Sequence, residues 1–258
     1  MRVPHTFRRR LGECKRLLCA FDFDGTLSEI APTPGQAAVS RGMREMLVRL
    51  EGLADVVIVS SRRAGELRKK LPFLRRAGFY GMHGLETPHG KLKVPRGRLA
   101  AVESAKAEAA RLIAPFKGAW IEGKDSGFSV HFRDVAPARQ EPLAEALMRK
   151  MKSRRLLVYR GRKAVEVLAR GSPTKASTLH SISRRLPQGT LMLFFGDDEA
   201  DEAAFQALAR EKNFVGVAVG RKKTSAGLTV INPRGVEEFL RYINNLLSLT
   251  NPAGGPPV

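Results

Sequence analysis

A short apolar run that ends on two aspartates constrains this chain more than any other stretch. Residues 17 to 27 read Leu-Leu-Cys-Ala-Phe-Asp-Phe-Asp-Gly-Thr-Leu. Leu17 to Phe21 contains no charged residue, as expected for a strand buried on both faces of a parallel sheet. Side chains alternate along a strand, so Asp22 and Asp24 start on the same side. Two carboxylates held together repel unless a cation lies between them or one keeps a proton. Gly25 lets the chain turn with positive φ, and Thr26 is placed to cap the next segment. The pairing suits covalent phosphoryl transfer, in which one carboxylate attacks phosphorus and its neighbour protonates the leaving oxygen. A hard divalent cation would screen the charge on the phosphoryl oxygens. The competing explanation is a strand running into an Asp-Gly turn, with both acids solvated.

The chain has 258 residues, enough for one large domain or a core with a smaller insert. No apolar run is long enough to cross a bilayer, so no membrane partner is expected. Met1 to Arg10 carries four arginines but no apolar core of signal-peptide length, and a cytoplasmic location is expected. Two cysteines, Cys14 and Cys19, give neither a disulfide framework nor zinc-ligand spacing. The net charge of +20 favours acidic partners, whether nucleic acid, anionic membrane or a phosphorylated substrate. Yet the basic pairs, such as Arg62-Arg63, Arg75-Arg76 and Lys222-Lys223, are scattered and read equally well as solvated faces. With one Trp and three Tyr the chain lacks a base-stacking surface, and no specific nucleic-acid partner is expected.

Further along, Met43, Met46, Leu47 and Leu50 recur at helical spacing. Asp55 to Val59 reads as a second buried strand ending at Ser60, with a helix starting near Ala64. A hydroxyl there, beside a helix N-terminus, is a phosphate contact or simply a cap, and Ser61 would cap as well. Gly78 to Glu86 reads as a third strand and a loop holding His83 and Glu86, where His83 by itself reads as structural. From about Val94 the pattern changes to helix, hairpin, helix, hairpin, a small open-faced α+β module. Gly171-Ser-Pro-Thr-Lys175 then opens a helix, and Lys175 there reaches a phosphate or lies on the surface. The strand Leu191 to Phe195 ends in Gly196-Asp-Asp-Glu-Ala-Asp-Glu202. A helix starting there puts Asp197 and Asp201, or Asp198 and Asp201, on one side. Acids in a first turn complement the helix dipole; a third carboxylate group at a strand end favours metal binding.

Asp22-x-Asp24-Gly-Thr, Ser60, Lys175 and the Asp197/Asp198/Asp201 cluster follow the order of the motifs in the haloacid dehalogenase-like hydrolases. Val59-Ser-Ser-Arg62, Gly81-Met-His-Gly-Leu-Glu86, Ile121-Glu-Gly-Lys124, His131-Phe-Arg133, Val165-Glu166 and Gly196-Asp-Asp-Glu-Ala-Asp-Glu202 resemble the trehalose-6-phosphate phosphatases within that superfamily. The resemblance implies an α/β fold: a Rossmann-like parallel-sheet core, residues 1–92 and 163–250, with an inserted α+β cap, residues 93–162. Residues 251–258 are expected to be a disordered tail. It further implies Asp22 as nucleophile and Asp24 as acid/base. Ser60 and Lys175 would hold the phosphoryl group. Mg²⁺ would be held by Asp22, the Asp24 carbonyl and Asp197, with Asp198 and Asp201 nearby. Substrate contacts would come from Arg62, His83, Glu86, Glu122, Lys124 and Glu166, with His131 and Arg133 as further candidates. The implied partner is a small phosphosugar, and the protein is expected to be a monomer. Ser61 and Ala176 stand where the family usually has Gly. The alternatives are a capped phosphatase for another phosphosugar, such as sucrose phosphate or a glycosyl-phosphoglycerate, and a non-catalytic polyanion-binding module.

Overall fold

A computed structural model of the chain describes residues 4–94, 96–153, 155–161, 163–220 and 223–250. It begins with α1 (His5–Glu13), β1 (Arg16–Phe21), α2 (Arg41–Glu51), β2 (Asp55–Val59), α3 (Ala64–Lys70) and β3 (Gly78–Tyr80). A two-stranded hairpin follows, β4 (Glu86–Thr87) and β5 (Gly90–Lys91). Next come α4 (Arg96–Ile113), β6 (Trp120–Lys124), β7 (Gly127–His131), α5 (Pro137–Met151), β8 (Leu156–Arg160) and β9 (Ala164–Ala169). The chain closes with α6 (Lys175–Ser183), β10 (Thr190–Gly196), α7 (Glu199–Leu208), β11 (Phe214–Val219), β12 (Leu228–Val230) and α8 (Pro233–Thr250).

These elements form two compact units, Leu92–Pro173 and the remainder. The larger unit is built on a six-stranded sheet in the order β12-β11-β10-β1-β2-β3, with every pair parallel. β1 is central because both its faces are covered: Leu17 to Phe21 are all buried, as is the whole of β10. After β1 the chain builds outward through β2 and β3. It then returns to the opposite side through β10, β11 and β12. That reversal leaves a crevice beyond the carboxyl ends of β1 and β10, the place where open α/β sheets bind ligands. The apolar stripe of α2 packs Met43, Met46, Leu47 and Leu50 into the core, and Ser40 caps it by accepting from the Met43 amide at 2.9 Å.

The smaller unit is a four-stranded antiparallel sheet, β6-β7-β9-β8. Phe128, Val130, Val165 and Val167 point to one face, where they form a core with residues of α4 and α5 such as Val102, Ala109, Leu143 and Leu147. Register puts Trp120 opposite His131, Glu122 opposite Ser129, and Glu166 between Ser129 and Tyr159 on the other face.

Three features differ from the sequence expectation. The boundary at residue 162 is too early, since β9 pairs with both β7 and β8 and is a central strand of the smaller sheet. The unit therefore runs on to Pro173. Helix α1 was not expected, because only Phe7 and Leu11 of its nine residues are buried and the rest of its face is polar. β12 is three residues long with one buried, too short for a periodic signal. The expected disordered tail, residues 251–258, lies outside the described residues. Among the described residues, no helix is long and apolar enough to cross a membrane.

Candidate active site

The centre of the site is a buried lysine. Thr174 caps α6 through a capping box with Ser177, which fixes Lys175 as the first residue of the helix. Its side chain is 1% exposed and reaches three carboxylates: Asp201 at 2.7 Å, Asp22 at 3.0 Å and Asp198 at 3.6 Å. Burial works against the ammonium, but Asp198, Asp201 and Asp22 outweigh it and hold Lys175 protonated well above its ordinary range. The surface-lysine alternative is excluded by this burial.

Asp22 follows β1, with its amide donating to the Phe195 carbonyl of β10 at 2.9 Å. Burial pushes its carboxyl up to about 6; Lys175 pulls it down, while Asp198 and Asp24 push it further up. Across the crevice, α7 starts at Glu199 with Asp198 as its cap, accepting from the Asp201 amide at 2.8 Å. Asp201 is fully buried and accepts from the Asp197 amide at 2.9 Å, the Asp198 amide at 3.1 Å and Lys175. It therefore shapes the loop that carries Asp197. Two glycines make room. A Cβ on Gly25, whose φ is +81°, would sit 2.3 Å from Asp197 Oδ2, and one on Gly196 would sit 2.3 Å from Asp201 Cγ.

Carboxylate oxygens of Asp22, Asp197 and Asp201 lie within 4.8 Å of one another. A group of hard oxygen donors in one crevice suits a hard divalent cation. Lys175 contacts three carboxylates with one positive charge, so a further cation fits the electrostatics as well as the donor chemistry.

Asp24 points elsewhere. Arg62 grips it with both arms of the guanidinium, Nε to Oδ2 at 2.6 Å and Nη2 to Oδ1 at 2.8 Å. The same guanidinium bonds Glu66 and lies 5.3 Å from the centre of the Phe23 ring. Arg62, expected among the substrate contacts, is thus engaged with the second aspartate. Ser60 is buried at the end of β2, and its hydroxyl accepts from the Arg62 amide at 3.3 Å. The loop after β3 is tied to this segment: the Met82 amide donates to the Arg62 carbonyl at 2.7 Å, and the His83 amide to the Ser60 carbonyl at 2.8 Å. Met82 and His83 take left-handed backbone conformations, φ 51° and 58°, of the kind held only where contacts over-determine them. His83 is buried, and its carbonyl accepts from Thr178 at 2.7 Å. Glu86 caps α3, accepting from the Ala64 amide at 2.6 Å, so its carboxylate has a structural partner. Ser61 and Ala176 have ordinary negative φ, and neither replacement of Gly strains the backbone.

In the smaller unit, Lys124 pairs with Glu166, and His131 Nε2 lies 2.9 Å from Glu122 Oε2. Arg133 lies in the turn after β7, where its carbonyl accepts from Gln140 at 3.0 Å. Sequence reasoning missed the Arg62–Asp24 grip and the structural duties of Glu86 and Asp201. The Arg62–Asp24, Glu86–Ala64 and Lys175–Asp201 contacts join residues far apart in sequence, with no short motif to announce them.

A parallel sheet with Asp22, Ser60 and Asp197 at its strand ends, and a lysine helix beside them, defines a haloacid dehalogenase-like hydrolase fold. A haloacid dehalogenase-like hydrolase from Bacteroides thetaiotaomicron superimposes with a TM-score of 0.59 at 17% identity, over 89% of this chain and 100% of that one. The C-terminal domain of trehalose-6-phosphate phosphatase from C. albicans does so with a TM-score of 0.79 at 23% identity, over 92% and 94% of the two chains. Residues 20–232 match the trehalose-phosphatase family model, and the chain belongs to that family. It is 30% identical over 250 residues to the trehalose-phosphate phosphatase of Mycobacterium leprae, covering 89% of this chain and 58% of that protein. The chain thus spans less than two thirds of the length of the curated relative.

Proposed function

We propose that this chain is a Mg²⁺-dependent phosphatase that hydrolyses trehalose 6-phosphate through a phospho-aspartate on Asp22. The observation that carries it is the buried Lys175 bound to Asp22, with Asp197, Asp198 and Asp201 around it at the carboxyl ends of β1 and β10. Lys175 draws charge from the phosphoryl oxygens, and Ser60, buried one strand away, donates to them. Asp22 attacks phosphorus, the phosphorus–sugar oxygen bond breaks, and Asp24 gives its proton to the departing trehalose oxygen. Asp24 then takes a proton from water as the water attacks the phospho-aspartate, which releases phosphate and restores Asp22. Arg62 occupies both Asp24 oxygens in this arrangement, so Asp24 must release the guanidinium before either transfer. Mg²⁺ would be held by the Asp22 and Asp197 side chains and the Asp24 carbonyl, with Asp198 and Asp201 nearby. When bound it would supply positive charge to the phosphoryl oxygens.

The smaller unit would act as the cap that recognises the sugar. Family membership supports trehalose 6-phosphate as substrate, and Glu122, Lys124 and Glu166 would grip glucose hydroxyls. Fixed polar groups of this kind reject substrates that leave them unpaired. Glu122→Ala or Glu166→Ala is expected to lower kcat/KM on trehalose 6-phosphate about tenfold or more relative to p-nitrophenyl phosphate, since a hydrogen bond from a hydroxyl to a charged group is worth ~1.5–3 kcal/mol. Steady-state kinetics on the two substrates checks this. Equal losses on both would show that these carboxylates do not contact sugar.

A further inference from the structure

The open face of the smaller sheet carries a feature that the hydroxyl-gripping residues leave unexplained. The exposed large apolar side chains among the described residues are Val48, Leu92, Trp120, Ile231 and Leu249, and Trp120, 43% exposed, is the one aromatic ring. An indole left in water forgoes apolar burial that most tryptophans make, so a flat apolar partner belongs on it. Trp120 is also held in place. The His131 imidazole stacks on it with ring centres 4.2 Å apart and planes 20° from parallel. Glu122 Oε2 in turn lies 2.9 Å from His131 Nε2. Carboxylate, imidazole and indole form a braced row that costs little further ordering when a ligand docks.

The neighbours on that face decide the ligand's class. Register places Glu122 and Lys124 on the same side of β6 as Trp120, and Glu166 two strands across on the same face. The Lys124–Glu166 pair is nearly buried, with side chains 11% and 12% exposed. Its hydrogen bond to His131 holds the Glu122 carboxyl below the ordinary range, with Lys124 adding to the effect. A flat apolar plate rimmed by fixed charged hydrogen-bonding groups fits a pyranose ring, whose C–H face is apolar and whose edge is hydroxyl. A nucleobase would stack equally well, but two carboxylates against one ammonium beside the plate oppose a polyanionic strand.

We propose that Trp120, braced by His131, is the stacking plate for a pyranose ring of the phosphosugar substrate. The identity of that sugar rests on the phosphatase reading above. The stacking residue itself is new to that reading and sets sugar specificity rather than chemistry.

Trp120 is the single tryptophan of the chain, so its emission reports the plate directly. The full chain is titrated with trehalose 6-phosphate, with trehalose and with inorganic phosphate while tryptophan emission is followed. A saturable change is expected with both sugars and none with phosphate alone. In parallel, Trp120→Ala and Trp120→Phe are compared by kcat/KM on trehalose 6-phosphate relative to p-nitrophenyl phosphate. The ratio is expected to fall about tenfold in the alanine variant, through KM, and to stay within about threefold in the phenylalanine variant, which keeps a ring. Phosphate release from trehalose 6-phosphate with unchanged emission, or an unchanged ratio in Trp120→Ala, overturns the plate and leaves the phosphatase reading standing. A saturable emission change with sugar but no phosphate release from any sugar phosphate supports the plate and removes that reading. Neither signal removes both.

Discussion

Asp22→Asn is expected to abolish turnover while the protein stays folded. An amide cannot form the phospho-aspartate, and loss of a covalent nucleophile costs on the order of 10⁴-fold or more in kcat. The fold should not suffer. The introduced amide fills the same buried space, and its carbonyl still accepts from Lys175, 3.0 Å from the present carboxylate. The substitution also removes one of the carboxylates crowded around that lysine, and burial already pushes Asp22 up to about 6. Phosphate release and a thermal melt on the same preparation check both parts. Residual activity close to wild type would exclude Asp22 as the nucleophile. A collapsed melt would make the variant uninformative about chemistry, and Asp22→Glu, which keeps the charge and moves the oxygen, would then carry the test.

Lys175→Met is expected to lower stability and turnover together. Removing one partner of a buried charge pair strands the others and costs about 3–5 kcal/mol. Here Asp201, fully buried, loses its ammonium, as does Asp22. Turnover should fall about 10²–10³-fold, the usual loss when one electrostatic contact to a developing charge is removed. Adding Asp201→Asn should recover part of the stability, because the stranded carboxylate is gone, and the two single losses should not add. Denaturant unfolding of the four proteins in this cycle measures the coupling. Simple additivity would mean that the lysine and Asp201 do not depend on each other. A stable, active Lys175→Met would leave Lys175 without the role described.

Much of this site was legible because its parts are local in sequence. An apolar strand that stops on Asp22-x-Asp24-Gly states both its burial and its turn. The string from Gly196 to Glu202 announces a strand end and a helix cap in seven residues. Lys175 was harder: a lysine at a helix start is ordinary, and only the three carboxylates brought to it from β1 and α7 make it central. Arg62 and Glu86 are expected to contact substrate, and each also has a partner within the protein that the sequence does not announce. Arg62 grips Asp24, 38 residues away, and Glu86 caps α3, 22 residues away, and no periodicity encodes either contact. Trp120 went unnoticed because its own strand explains an aromatic residue. Its exposure and its stack on His131 exist only once the two strands are paired. The early boundary at residue 162 has the same origin. The hairpin reading pairs β9 with β8, and only its second pairing, with β7, makes it a central strand of the smaller sheet.

The most direct measurement is phosphate release, with and without Mg²⁺, from trehalose 6-phosphate, sucrose 6-phosphate, glucose 6-phosphate, a glycosyl-phosphoglycerate and p-nitrophenyl phosphate. Mg²⁺-dependent release with a strong preference for trehalose 6-phosphate is expected. Release from p-nitrophenyl phosphate without that preference would keep the carboxylate chemistry and contradict the sugar assignment. No Mg²⁺-dependent release from any of them would contradict the catalytic reading of Asp22, Lys175 and Asp197.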